Sequence, residues 1–283
     1  MTTREDAGHA SRPLPGALRI SLESLGSVGD FGALANYADP AYYTHCYRAR
    51  KHDVEYYTHL GRACTGSVLE FGCGNGRVSL AMAQAGANVC GVDLSKPMLD
   101  DFERRLRKAA SPVRDRIRLV HGDMREVNVG QRFALVVAPF NVMLHLYTTS
   151  DIEQFLRNVI SHLEPGGQFV CDVSLPLAAD LARDPKRRLK APSFVHPETK
   201  QKIDYVERFE YDPIRQLLVI WMEFTPKDGS KSWTIPLTHR QIFPCELEAH
   251  LRHAGFAAFH ITSDFTDTPP SSHTDSLIVT CTR

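Results

Sequence analysis

One glycine-rich stretch constrains the fold of this chain more than any other feature. In "VLEFGCGNGRVSLAMAQAGANVCGVDLS", residues 68–95, Gly72, Gly74 and Gly76 stand directly after an apolar run typical of a β-strand, and a second such run ends at Asp93. Glycines at a strand-to-helix turn let the backbone approach a ligand closely, and the N–H groups at the start of the helix face that ligand. The stretch therefore predicts a strand, a ligand-binding turn, a helix and a second strand.

The same alternation continues along the chain. The apolar runs "IRLVHGD", "FALVVAPF" and "GQFVCDVS" predict three further strands, and helical patterns such as "KPMLDDFERRLRKAA" separate them. Strands that are apolar throughout and alternate with helices are typical of a parallel sheet covered by helices on both faces. The sequence therefore predicts an α/β fold from Ser67 onward.

The segments outside this alternation have their own patterns. After Leu175, three long strand-like runs joined by the turn signals "DP" and "KDGS" predict an antiparallel β-meander. We interpret residues 176–243 as an inserted cover, with the basic run "RDPKRRLK" in the connection to it, because an α/β pattern returns in "PCELEAHLRHAGF". Residues 1–30 are predicted to be a mobile tail and the aromatic-rich residues 31–66 a helical lid, which leaves residues 67–283 as one domain.

The composition narrows the range of partners. Among 283 residues, Lys plus Arg and Asp plus Glu number 33 each, so the chain has no overall electrostatic attraction to nucleic acid or to an anionic membrane. It has no apolar run long enough to span a bilayer and no apolar core of a signal peptide at its start. The seven cysteines lack C-x-x-C spacing, which favours reduced thiols over disulfides or structural zinc. We expect a cytoplasmic protein without nucleic-acid or membrane partners.

The spacing of glycines and acids indicates the kind of ligand. The dinucleotide pattern G-x-G-x-x-G fails, because Arg77 stands where the third glycine is required. An acid precedes the glycine turn at Glu70, a second ends the next strand at Asp93, and a third follows in "GDMRE" at Asp123. A carboxylate at the second strand's end suits ribose hydroxyls, whereas an acid beside the glycines suits an ammonium group and repels phosphate. The pattern favours a nucleoside with a cationic tail.

These motifs, in this order, resemble those of class I S-adenosylmethionine-dependent methyltransferases. The resemblance runs from about Ser67 to Arg283 and covers "VLEFGCGNGR", "GVDLS", "GDMRE" and "LEPGGQFVCDVS". It implies a Rossmann-like, seven-stranded, mostly parallel sheet and S-adenosyl-L-methionine as the cofactor. By the resemblance, Glu70, Gly72 and Gly74 line the methionine part, Asp93 the ribose, and Asp123 with Met124 the adenine. The residues expected to bind this methyl donor are Tyr43, Tyr47, Glu70, Gly72, Cys73, Gly74, Asn75, Gly76, Arg77, Asp93, Leu94, Met98, Gly122, Asp123, Met124, Arg125, Pro139 and Phe140.

The residues after the fourth strand indicate the branch of the family. Enzymes that methylate amino groups of nucleic-acid bases carry an Asp/Asn-Pro-Pro-aromatic run, whereas this chain has "APFN" at residues 138–141. It also lacks carboxylates at this edge to hold magnesium, so we expect no metal. The segment "PFNVMLHL" resembles the small-molecule branch. With the predicted cover, the chain is similar to sugar-amine and glycine-type N-methyltransferases, in which such covers commonly build a dimer contact, so a homodimer is possible.

The acceptor atom stays open at this point. A small-molecule amine nitrogen is favoured, because it needs no base when it attacks a methyl group, whereas a hydroxyl must lose its proton. The alternative is an O-methyltransferase with His145 as the base, and His239 beside Arg240 is a second candidate. Tyr43 and Tyr47 either surround the donor's cation or only pack the lid. A non-catalytic donor-binding regulatory protein is a third interpretation, and a protein or RNA substrate a fourth.

Overall fold

The computed structural model describes residues 32–256 and 258–283, so the predicted tail of residues 1–30 lies outside the described residues. Residues 32–35 are helical. The longer helical segments are α1 (Pro40–Tyr47), α2 (His52–Ala63), α3 (Ser79–Gln84), α4 (Lys96–Lys108), α5 (Ser111–Arg114), a 3₁₀ turn (Val142–His145), α6 (Thr149–His162), α7 (Ala178–Leu181) and α8 (Pro244–Ala254). The strands are β1 (Ser67–Phe71), β2 (Asn88–Asp93), β3 (Ile117–His121), β4 (Phe133–Ala138), β5 (Leu163–Ser174), β6 (Leu189–Val195), β7 (Lys202–Asp212), β8 (Leu217–Pro226), β9 (Trp233–Arg240), β10 (Ala258–Ser263) and β11 (Ser276–Thr282).

Seven strands form the central sheet in the order β10-β11-β5-β4-β1-β2-β3. Strands β1 to β5 pair in parallel, and β11 runs antiparallel to both β5 and β10. The carboxyl ends of the five parallel strands therefore meet at one edge, which is where ligands bind in open sheets of this kind. The predicted seven-stranded, mostly parallel α/β fold is confirmed.

The sheet forms because its central strands are apolar on both faces. The side chains of β1, β4 and β5 are buried between two layers of helices, and Phe133, Phe155 and Phe169 are fully buried among them. Helix α6 starts at a capping box, in which Thr148 and Asp151 satisfy each other's backbone N–H groups. Burial of large apolar side chains stabilises each by roughly 1.5–3 kcal/mol, so this core fixes the edge on which the glycine turn lies.

A second, antiparallel sheet of four strands in the order β6-β7-β8-β9 lies within the predicted insertion. The prediction of three strand-like runs missed β6, which begins at Leu189 inside the basic run. Its sequence "LKAPSFV" mixes a lysine and a proline with apolar residues and is mostly exposed, as expected at a sheet edge, so it lacks a strand's usual pattern. In that run, Arg188 forms an ion pair with Glu223 of β8.

The lid packs onto this cover sheet. Asp39 caps α1 by accepting a hydrogen bond from the Tyr42 N–H at 2.8 Å. The ring of Tyr42 contacts Phe194 of β6 and Phe224 of β8, with centroid distances of 5.3 and 5.2 Å. His196, at the turn after β6, reaches the other oxygen of Asp39 at 2.8 Å. Helix α1 is thus held from the cover side, above the carboxyl edge of the central sheet.

No helix in the part of the chain that the structure describes is both long and apolar enough to cross a membrane.

Candidate active site

A cavity of about 270 Å³ opens at the carboxyl edge of the parallel strands. Its walls come from the lid, from the glycine turn, and from the ends of β2, β3 and β4. The predicted site residues that line it are Tyr43, Glu70, Gly72, Cys73, Gly74, Arg77, Asp93, Leu94, Met98, Gly122, Asp123, Met124, Arg125, Pro139, Phe140 and His145. Those that do not line it are Tyr47, Asn75, Gly76, His239 and Arg240. The edge therefore brings together most of the residues that the motifs indicated.

The glycine turn requires glycine for two reasons. Gly72, Gly74 and Gly76 have φ angles of 68°, 53° and 86°, in the left-handed region that other residues rarely adopt. A Cβ on Gly72 would also lie 2.3 Å from a methyl group of Val142. A Cβ on Gly76 would lie 2.3 Å from the ring of Phe102 in α4. Gly76 thus serves close packing, whereas Gly72 forms the cavity wall.

Asn75, although it lies in the turn, points away from the cavity. Its amide donates to Asp101 at 3.0 Å and to the Thr44 hydroxyl at 2.9 Å, and the side chain is buried. Asn75 therefore joins the turn to α4 and to the lid helix α1. The side chain that was predicted to bind the donor instead stabilises the turn.

Glu70, at the end of β1, is a buried carboxyl group in the cavity wall. It is 2 % exposed and accepts a hydrogen bond from the Ser79 hydroxyl. Burial raises the pKa of Glu70 to about 8, partly offset by the bond from Ser79. A cation entering the cavity would favour the ionised form and lower that pKa. Glu70 is therefore suited to a ligand's ammonium group.

Asp93, at the end of β2, is held by backbone N–H groups. One oxygen accepts from Gly74 at 2.6 Å and the other from Ser95 at 2.7 Å. Burial raises its pKa, although these bonds favour the charged form. Each carboxylate oxygen can accept a further hydrogen bond, so Asp93 fixes the glycine turn and can also bind two hydroxyl groups.

Asp123 follows β3 and forms a charged cluster with Arg125 and Asp151. Arg125 donates to Asp123 at 2.6 Å and to Asp151 at 2.7 Å. Burial acts to raise the pKa of Asp123, but the hydrogen bonds from Arg125 outweigh it and the pKa lies below its ordinary value. Asp123 is therefore ionised and firmly oriented at the cavity wall, beside Met124.

Arg77 occupies the third-glycine position and brings in an acid that the sequence did not single out. Its guanidinium donates two bonds, at 2.9 and 2.6 Å, to Asp53 of α2, whose side chain is fully buried. The guanidinium also stacks over the Phe140 ring at 4.7 Å, and Arg50 stacks over the same ring at 4.8 Å. Both arginines thus contact the Phe140 ring, and Arg77 also lines the cavity.

His145 lies in a chain of polar contacts between the lid and the cover. Its Nε2 is 2.8 Å from the Tyr37 hydroxyl and its Nδ1 is 3.4 Å from the Tyr147 hydroxyl, which in turn is 2.7 Å from Thr238 Oγ1. The ring of His239 is 5.2 Å from that of His145. Burial, with a contribution from His239, lowers the pKa of His145 to about 3. Burial also lowers the pKa of His239 to about 4.

Arg240 serves a different purpose from the one considered for it. It is buried, donates to Glu246 of α8 at 2.5 Å and to the carbonyl of Gln241 at 2.7 Å. These bonds fasten the end of β9 to the start of α8.

Tyr37 lines the cavity, although the sequence did not predict it. Nothing in "NYADP" distinguishes it from the other tyrosines of the lid.

The turn after β4 has strained backbone. Phe140 and Asn141 have φ angles of 61° and 63°, which cost roughly 1–3 kcal/mol each for residues other than glycine. The Asn141 amide donates to the Ser174 hydroxyl at 2.9 Å and accepts from the Ser174 N–H at 2.6 Å. The amide of Asn141 thus fastens the turn to β5.

Comparisons with known proteins identify a methyltransferase domain in this chain. Residues 68–167 match the methyltransferase domain family. A putative methyltransferase of Bacillus subtilis, YqeM, is 29% identical over 218 residues, which cover 75% of this chain and 82% of that protein. The dTDP-3-amino-3,4,6-trideoxy-α-D-glucopyranose N,N-dimethyltransferase of Streptomyces venezuelae is 31% identical over 106 residues, 38% of this chain and 41% of that protein.

Solved structures show the same fold. The CcbJ methyltransferase of Streptomyces caelestis superposes with a TM-score of 0.68 and 23% identity, and the match covers 82% of this chain and 88% of that one. The glycopeptide N-methyltransferase MtfA, in complex with S-adenosylmethionine, gives a TM-score of 0.54 at 23% identity, covering 81% and 92%.

The fold is Rossmann-like, and residues 68–167 within it match a methyltransferase domain. The chain contains a methyltransferase domain and is an enzyme that uses S-adenosylmethionine as its methyl donor.

Proposed function

We propose that this enzyme transfers the methyl group to an amine nitrogen of a small molecule. The relatives include enzymes that dimethylate amino sugars, and the similar structures include glycopeptide N-methyltransferases. When bound, S-adenosylmethionine supplies an electrophilic methyl group on a sulfonium, which a neutral amine attacks in line with its lone pair as the C–S bond breaks. The neutral amine needs no base in this step, whereas its protonated form must first lose a proton to free the lone pair.

The observation that carries this proposal is the state of the two histidines. A hydroxyl acceptor needs a base whose pKa lies near the working pH. His145 and His239, with pKa values of about 3 and 4, are far weaker bases than that. In addition, Nε2 of His145 is engaged by Tyr37. Neutral histidines of this kind suit the orientation of a neutral amine, and the charge of the product ammonium is relieved when it loses its proton to water.

We propose that the residues at the cavity bind the donor in a definite order. We propose that Glu70 binds the ammonium of the methionine part and Arg77 its carboxylate, because both line the cavity and Arg77 is close enough to Glu70 to act to lower its pKa. Asp93, beyond the glycine turn, would bind the ribose hydroxyls. Asp123 and Met124 would bind the adenine, with Leu94 and Met98 as apolar walls; Met98 is buried, whereas Leu94 is 47 % exposed.

Transfer of a labelled methyl group tests the proposal. The purified enzyme is incubated with labelled S-adenosylmethionine and a host extract that is then separated into small molecules and macromolecules. We expect label in small amines. It should be present as N-methyl groups, which are recognised by their stability to acid. Label in protein or RNA would contradict the substrate class, and binding of the donor without any transfer would contradict catalysis.

A matched pair of acceptors then tests nitrogen against oxygen. An amino sugar and its hydroxyl analogue are compared at several pH values. With nitrogen as the acceptor, only the amino sugar is methylated and the rate falls at low pH with the pKa of the free amine, because its protonated form has no lone pair. Methylation of the hydroxyl analogue, lost in His145→Ala, would establish the O-methyltransferase alternative instead.

A further inference from the structure

The strained turn formed by Phe140 and Asn141 needs partners that keep it in place. Both residues have left-handed backbone, and they follow β4 directly at the edge where the cavity opens. Residues in such conformations persist only where surrounding contacts determine them, and they concentrate at functional sites. The groups that hold this turn are therefore candidates for a role in the reaction.

The first of these groups is Asp172, near the end of β5. A single oxygen, Oδ1, accepts two hydrogen bonds, from the Phe140 N–H at 2.7 Å and from the Tyr57 hydroxyl at 2.7 Å. Asp172 is 1 % exposed and Tyr57, from α2, is fully buried. Asp172 thus connects three elements, which are β5, helix α2 of the lid and the turn after β4.

The turn in its observed position shapes the cavity. The Phe140 ring lines the cavity and lies under the guanidinium of Arg77. Val142, two residues later, lines the cavity too and touches Gly72 so closely that no Cβ fits there. A shift of the turn would therefore move both the aromatic wall and the glycine turn of the donor site.

The second carboxyl oxygen of Asp172, Oδ2, does not take part in holding the turn. Oδ2 is buried and has no hydrogen-bond partner in residues 32–256 and 258–283. Burial raises the pKa of Asp172, partly offset by its bonds from Tyr57 and Phe140, so burial favours the uncharged form. Asp172 does not line the cavity, so its effect on a ligand must pass through Phe140.

We propose that Asp172 is a positioning residue that holds the Phe140–Asn141 turn and thereby aligns the acceptor with the methyl group of the donor. It touches neither donor nor acceptor. The inference rests on the proposed methyl transfer for its kinetic consequence, but it does not depend on whether the acceptor atom is nitrogen or oxygen. A misalignment of about 1 Å can cost a reaction roughly 100-fold.

The full chain with Asp172→Ala tests this directly. We expect kcat, measured at saturating donor with whichever acceptor takes the label, to fall by about 100-fold. The Kd of S-adenosylhomocysteine, measured by calorimetry, should rise by a much smaller factor than kcat falls, because Asp93 still holds the glycine turn through the Gly74 N–H. Asp172→Asn should restore most of kcat, because its amide oxygen can accept both hydrogen bonds without a charge.

Val173→Ala is the matched control. Val173 is the next residue of β5 and is fully buried in the main core, so its truncation destabilises the protein without removing a hydrogen bond from the turn. It should leave kcat unchanged below the unfolding temperature. Equal losses of kcat in Asp172→Ala and Val173→Ala, or full activity in Asp172→Ala, would overturn the proposal.

Two further measurements keep the test independent of folding and of the acceptor. If Asp172→Ala does not fold, Asp172→Leu combined with Tyr57→Phe fills the space with apolar atoms and should show the same loss of kcat. Hydrogen exchange followed by mass spectrometry needs no acceptor at all. Asp172→Ala should speed exchange in peptides that cover residues 139–143, and Val173→Ala should not. Unchanged exchange there would refute the positioning role, even if no acceptor were ever found.

Discussion

At the scale of single residues, the most informative group is the buried carboxyl of Glu70. With a pKa of about 8, it is mostly protonated at pH 7 in the empty site. The ammonium of the donor favours the ionised form. Donor binding at pH 7 should therefore release about one proton, since the α-amino group of the donor stays charged near neutral pH. Calorimetry of S-adenosylhomocysteine in buffers of different ionisation enthalpy measures this release, and Glu70→Gln should abolish it and weaken binding.

The same residue predicts how stability depends on pH. Because the folded pKa of Glu70 lies above its unfolded value of 4.5, its contribution is fully present below pH 4.5 and is lost as the pH rises to about 8. Glu70→Gln should therefore raise the Tm of the empty protein at pH 8 and change it little at pH 4. An equal change in Tm at both pH values would mean that the carboxyl is not shifted by burial.

At the scale of elements, one hydrogen bond between the lid and the cover, from His196 to Asp39, can be removed by a single substitution. Nδ1 of His196 accepts backbone N–H bonds from Glu198 and Thr199, so Nε2 carries the proton and donates to Asp39 at 2.8 Å. Asp39 keeps its other oxygen for the N–H of Tyr42. His196→Ala therefore removes this polar contact between α1 and the cover, while the cap of the helix and the packing of Tyr42 on the cover stay in place.

Loss of the hydrogen bond between His196 and Asp39 should speed the dissociation of S-adenosylhomocysteine from the cavity. Because the side chain of Asp39 is 40 % exposed, this hydrogen bond contributes roughly 0.5–1.5 kcal/mol, so we expect the dissociation rate of S-adenosylhomocysteine, measured by stopped flow, to rise about two- to tenfold. His59→Ala, at an exposed position on α2, is the control and should leave the rate unchanged. Equal rates in the wild type and His196→Ala would show that the lid does not limit release.

At the scale of the whole molecule, the sequence predicts those site residues whose positions depend on the ends of the strands. Glu70, Asp93 and Asp123 each end or follow a parallel strand, so the topology alone brings them to one edge. Tyr37 and Asp53 escaped prediction because they reach the cavity region only through the packing of the lid. Asp172 escaped because it stands within an otherwise apolar strand, where the pattern shows no sign that its oxygen faces a strained turn.

Two of the buried hydrophobic clusters in the described residues divide the lid between them. Tyr42 of α1 belongs to the cluster of the cover sheet with Phe224, whereas Tyr57 of α2 belongs to a cluster of the central sheet. Phe224 is 2 % exposed, so Phe224→Ala should cost about 3–5 kcal/mol and loosen the support of α1. Phe155→Ala, in the main core, should cost a similar amount but leave α1 supported.

These two variants should differ in how a ligand stabilises them. A ligand that binds only the folded state raises Tm by an amount that depends on its affinity. If the cover holds the lid over the donor, the rise in Tm caused by S-adenosylhomocysteine should shrink in Phe224→Ala and stay unchanged in Phe155→Ala. Scanning calorimetry with and without this ligand measures both. An undiminished rise in Phe224→Ala would mean that the central sheet binds the donor without help from the cover, and that the inserted sheet serves the acceptor alone.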